Sequence, residues 1–100
     1  MEIRIENENK VTTVFFIGRL DTPAAQEAAK QLEPLMGDAT GTIVLDCKDL
    51  SYISSSGLRI FLTLRKAAAS KGGEVIVQDI NDDIRQVFMM TGFLNLFEVR

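Results

Sequence analysis

Three consecutive hydroxyls, Ser54-Ser55-Ser56, followed by Gly57, are the residues of this chain best placed to do chemistry. They precede an amphipathic run and so stand at the mouth of a helix. The first amides there lack intrahelical partners and carry partial positive charge. A serine at such a place can cap the helix by accepting an amide hydrogen bond. It can also take a phosphate, whose charge of about −1.5 to −2 is tolerated at a helix N-terminus. The run by itself leaves both uses open. Catalytic groups are harder to find. The sequence has no histidine, the usual acid–base group near neutral pH and a common metal ligand. Ser-His-Asp chemistry and histidine-based metal hydrolysis are therefore excluded, and no Walker A or GxGxxG pattern occurs. Asp21, Asp46 and Asp49 could approach one another at one end of a sheet, but each also sits where an aspartate caps a turn or loop. No catalytic residue, metal ligand or cofactor is assigned. The chain reads as a binding protein and not as an enzyme.

The elements that must position the serines follow from periodicity. Residues 2–6 alternate, with Ile3 and Ile5 on one face of a half-buried strand, and Asn7-Glu8-Asn9 is a polar turn. Val11 to Ile17 is β-branched and aromatic, the second strand of a hairpin, closed by Gly18. Asp21-Thr22-Pro23 opens a helix carrying Ala25, Ala28, Leu32 and Leu35 at helical spacing, and Pro34 kinks or ends it near its last turn. Thr42 to Leu45 is a short apolar run suited to a central strand covered on both faces, with Cys47 shielded near its end. Residues 46–53 form a connection, with Tyr52 and Ile53 tucked under the next helix. That helix starts at the serines, ends at Gly72-Gly73, and turns Gly57, Ile60, Phe61, Leu64 and Ala68 inward. A strand follows at residues 74–78, then an acidic helix start at Asn81, Asp82 and Asp83. Ile84, Val87 and Phe88 form that helix's core face, Gly92 stops it, and residues 96–99 read as a last edge strand. Alternating strands and helices after a hairpin predict one α/β domain over residues 1–100, a mixed sheet with helices mainly on one face.

With the core stripe of the serine-led helix turned inward, Leu58, Leu62 and Ala69 fall on a flank beside the serines, while Arg59, Thr63 and Lys66 face water. The flank is either covered by a neighbouring helix or an apolar patch for a partner. Charge narrows the partner. A net charge of −3 argues against nucleic acid and against an anionic membrane surface. No stretch approaches the roughly 20 apolar residues of a membrane span, and residues 1–4 show no signal-peptide core. Cys47 is the only cysteine, so no internal disulfide forms. These features fit the cytoplasm, without membrane insertion.

The segment from Asp49 to Arg59, Asp-Leu-Ser-Tyr-Ile-Ser-Ser-Ser-Gly-Leu-Arg, resembles the signature of the STAS domain family in its anti-sigma factor antagonist branch. Gly18-Arg19-Leu20-Asp21 is similar to the family's Gly-x-Leu-Asp, and residues 84–97 to its third-helix pattern. The resemblance implies a STAS-type mixed β-sheet and a partner-switching cycle. In that cycle the unphosphorylated protein binds an anti-sigma factor that is also a serine kinase. Phosphorylation ends the contact, and a serine phosphatase restores it. The resemblance places the phosphate on Ser55, with Ser56 as the alternative. The partner surface is expected on Leu20, Asp21, Thr22, Ser54, Ser56, Gly57, Leu58 and Leu62; because Leu58 and Leu62 lie off the core stripe beside the serines, Leu58 with the Leu20–Thr22 turn is expected to supply the apolar contact. The family's Asp before the acceptor is Ser54 here. Many family members continue into a fourth helix, whereas this sequence stops at Arg100. The alternative function is a non-phosphorylated STAS subunit that binds an ABC-type transporter ATPase, in which the serines only cap.

Overall fold

The computed structural model describes residues 1–100. It opens with a hairpin of β1 (Glu2–Glu8) and β2 (Val11–Leu20), antiparallel with Glu8 opposite Val11. The turn falls on Asn9 and Lys10, at φ 51° and 66°, not on residues 7–9 as expected. Two left-handed residues suit the twist of a tight hairpin, and asparagine tolerates that conformation better than most. Only Ile3 is half-buried, and Ile5 on the same edge strand is exposed. β2 also outruns its expected end. Gly18 takes φ 107° where the register of β2 with a later strand, β4 (Leu50–Ile53), shifts, so it absorbs an irregularity within the strand and does not terminate it.

The sheet runs β1-β2-β3-β5-β6, with β3 (Thr42–Asp46) central and parallel to both β2 and β5 (Glu74–Gln78), and β6 (Glu98–Val99) last. Expected cover on both faces of β3 is not found. Ile43 and Leu45 join the core, while Val44 between them is half-exposed. The reason is that every helix packs on one side. α1 (Thr22–Gly37), α2 (Ser55–Ser70), α3 (Asp82–Thr91) and the short α4 (Phe93–Leu96) all bury side chains in the cluster that holds Phe16, Leu45 and Val77. Right-handed crossovers between strands added in one direction put successive helices on the same face.

Residues 50–53 are not a connection but a strand, β4 (Leu50–Ile53), parallel to the end of β2. Ile53 is buried as expected, but Tyr52 is exposed and not tucked under a helix. α3 is tied to this strand, because Asn81 caps the helix through the Ile84 amide (3.0 Å) and donates to the Leu50 carbonyl (2.7 Å). Gly92, at φ 80°, ends α3. Phe61 meets Phe88 edge-on at 6.2 Å, joining α2 to α3 within the core. β6 (Glu98–Val99) is the edge strand, two residues shorter than expected because Leu96 closes α4.

Candidate functional site

Strands β2 and β4 end side by side, and α2 starts directly above them. The Ser54 amide donates to the Leu20 carbonyl at 2.9 Å, which carries the pairing one residue past β4. The chain then turns into α2, and the Gly57 amide donates to Ser54 Oγ at 3.1 Å. Ser54 is 8% exposed. Its hydroxyl is therefore the helix cap, buried and in use. Ser55 is the next residue and is exposed, on the first turn of the helix. Ser56 is half-buried and lines a groove between α1 and α2 with Thr22, Ala25, Arg59 and Ile60. The three hydroxyls thus hold different positions: one caps, one faces solvent and one borders a groove.

Three residues expected on the partner surface are not there, the buried cap Ser54 being the first. Leu20 is fully buried, and Gly57 is buried above it. A β-carbon on Gly57 would come within 2.8 Å of Leu20 Cγ and 2.9 Å of Ile53 Cγ1. The first turn of α2 lies so close to the strand ends that only glycine fits, and Leu20 fills the space below. Their part is to set the height of the serines. Of the Leu20–Thr22 turn, Thr22 is exposed and Asp21 half-buried, the latter capping α1 through the Ala24 amide at 3.0 Å.

Leu58 and Leu62 lie on the expected flank. Both are half-buried and packed on the core, so the flank is partly covered. Arg65, one turn further along, donates from Nε to the Leu96 carbonyl at 2.9 Å, which puts this side of α2 against α4. Ala69, Arg59, Thr63 and Lys66 are exposed.

The three aspartates do not converge on a site. Asp46 accepts from the Lys48 amide at 3.0 Å and from Gln78 Nε2 at 2.9 Å, Asp21 caps α1, and Asp49 is exposed. No three acidic or sulfur ligands come together in a way that could hold a metal ion. Cys47 is fully buried. Burial first, and the neighbouring Asp46 charge second, push its thiol far above the usual range, so it is no nucleophile near neutral pH. No helix is long and apolar enough to cross a membrane.

One pair escaped the sequence. Arg19 and Tyr52 are partners across β2 and β4, with the guanidinium carbon 4.3 Å from the ring centre. Reading residues 46–53 as a connection hid this neighbour relation, and no local signal discloses it.

The STAS domain family model matches residues 2–100. BtrV of Bordetella bronchiseptica, named as a candidate anti-sigma factor antagonist, is 32% identical over 82 residues, which is 82% of this chain and 71% of that protein. The anti-sigma-B factor antagonist of Staphylococcus aureus is 28% identical over 99 residues, 99% of this chain and 92% of that protein. Among solved structures, the anti-sigma factor antagonist SpoIIAA in its unphosphorylated form is similar with a TM-score of 0.77 at 19% identity, over 99% of this chain and 87% of that one. At that identity the likeness establishes a shared fold.

Proposed function

The chain belongs to the STAS domain family, in its anti-sigma factor antagonist branch, and from that premise we propose that it binds an anti-sigma factor and is switched by phosphorylation of Ser55. The observation that carries this reading is the division of labour at the start of α2. Ser54 is buried and engaged as the cap, while Ser55 beside it is exposed. An aspartate in place of Ser54 could cap the same amide, so the serine keeps the structural part of that residue and gives up only its charge.

The switch follows from electrostatics. A phosphate on Ser55 sits over the free amides of the first turn of α2, where negative charge is favourable by roughly 0.3–1 kcal/mol at an exposed site. The domain therefore survives modification. A partner fitted to a neutral hydroxyl beside Leu58 must instead desolvate about two negative charges without paired cations, and it lets go. Thr22, Asp21, Ser56, Leu58 and Leu62 are the surface around that hydroxyl in this reading. The partner is an anti-sigma factor that is itself a serine kinase and consumes the ATP. A serine phosphatase resets the site. The chain has no catalytic part in the cycle and works in the cytoplasm.

The test is incubation with that kinase and ATP, followed by mapping of the phosphate by mass spectrometry. Phosphate on Ser55 supports the reading. Phosphate confined to Ser56 shifts the acceptor by one residue. An unmodified chain favours a plain cap and the non-phosphorylated subunit of a transporter ATPase.

A further inference from the structure

We propose that Arg19 and Tyr52 form a preassembled anchor for an acidic segment of the anti-sigma factor, on the helix-free face at the strand ends that lead into α2; this rests on the function proposed above. The two residues are register partners across β2 and β4, and the guanidinium lies on the ring at 4.3 Å. Both are exposed, Tyr52 by 41%. The core does not need them, because the next residue of each strand, Leu20 and Ile53, is the one turned inward. The ion pairs of the chain are Arg4–Glu6, Lys30–Glu27 and Arg100–Glu98, so the charge of Arg19 is unmatched within the molecule.

The pair adjoins the switch through the backbone, not on the same face of the sheet. Tyr52 precedes Ser55 by three residues, and Arg19 precedes Leu20, whose carbonyl holds the Ser54 amide. Tyrosine and arginine are the residue types that most often carry binding energy at interfaces. Stacking holds both rotamers before the partner arrives, which lowers the ordering cost of association. A stacked guanidinium still presents its edge N–H groups, and that fork matches a carboxylate. In a chain of net charge −3, a positive aromatic spot also orients an acidic segment that the rest of the surface repels.

The experiment is titration of the purified anti-sigma factor kinase with the unmodified full chain at several salt concentrations. The variants are Arg19→Ala, Arg19→Lys, Tyr52→Ala and, as a reference for the serine-side surface, Leu58→Ala, each checked for folding by circular dichroism. Arg19→Ala and Tyr52→Ala are each expected to weaken binding about tenfold. Arg19→Lys should recover only part of the loss, because it keeps the charge without the planar stack. Binding by Arg19→Ala should also depend less on salt than binding by the natural chain. Affinities within twofold of the natural chain for both alanine variants, with Leu58→Ala weakened, overturn the anchor and leave the partner reading intact. Failure of the natural chain itself to bind overturns both.

Discussion

Leu20 and Gly57 touch so closely that the glycine's missing side chain is a structural requirement: a β-carbon there would stand 2.8 Å from Leu20 Cγ. This contact sets how deeply the first turn of α2 sits over β2 and β4, and therefore where Ser55 emerges. Gly57→Ala should lift that turn or displace Leu20. The expected loss is about 1–3 kcal/mol of stability, the usual range for overpacking a core. Urea unfolding measures it, and a midpoint equal to that of the natural chain would show that the helix can shift freely.

Ser54 separates capping from charge. Ser54→Ala removes the oxygen that accepts the Gly57 amide and should cost about 1 kcal/mol. Ser54→Asp keeps an acceptor at the same place and should stay close to the natural stability, since a carboxylate also suits a helix N-terminus. Thermal melts of the two variants side by side give the answer. Equal losses in both would mean that the cap hydrogen bond contributes nothing.

Ser55→Ala should fold normally, bind the anti-sigma factor and resist being switched off, because an exposed hydroxyl is all that is lost. Ser55→Asp should weaken binding only in part, as one carboxylate supplies less charge and fewer acceptor oxygens than a phosphate. Affinity measurements check this, and full binding by Ser55→Asp at low salt would argue that charge at this position is not the signal.

Leu58 is half-buried and rests on the core, so it has two effects to separate. Leu58→Ala should lower stability by about 1–2 kcal/mol, less than the 2–5 kcal/mol of a fully buried leucine. It should weaken partner binding by more than that loss of fold accounts for. Leu58→Met keeps the apolar volume and should restore most of both. Binding unchanged in a folded Leu58→Ala protein would remove this residue from the partner surface.

Cys47 makes a prediction about alkaline pH. Its thiol is held neutral in the fold, by burial above all, whereas in the unfolded chain it ionises near the ordinary value of 9.0. The native state then keeps a proton that the unfolded chain gives up. Stability from this group is fully present below about pH 9 and falls as pH rises beyond it, by about 1.4 kcal/mol per pH unit at most. The difference in stability between the natural chain and Cys47→Ala, followed by urea unfolding from pH 7 to 10.5, should shrink over that upper range. In the native protein near pH 7 a thiol reagent should label Cys47 only slowly, at a rate limited by opening of the fold.

The inward stripe of α2 was legible in the sequence. Gly57, Ile60, Phe61, Leu64 and Ala68 are all buried, as helical spacing required. So were the start of α1 at Asp21-Thr22-Pro23, though not which of Asp21 and Thr22 caps it, and the stop of α3 at Gly92, because caps, left-handed stops and helical faces are decided within a few residues. Shielding of Cys47 and the central place of β3 followed from an apolar run bounded by turns. Tertiary structure alone decided the rest. Residues 50–53 carry little strand pattern of their own and became β4 because the end of β2, some thirty residues earlier, offered unpaired backbone groups. That pairing brought Arg19 to Tyr52, buried Leu20 beneath Gly57, and left the hydroxyl of Ser54 inside and that of Ser55 outside. In the sequence the serines are equivalent neighbours; the backbone direction on leaving β4, set by hydrogen bonds to a distant strand, made them different.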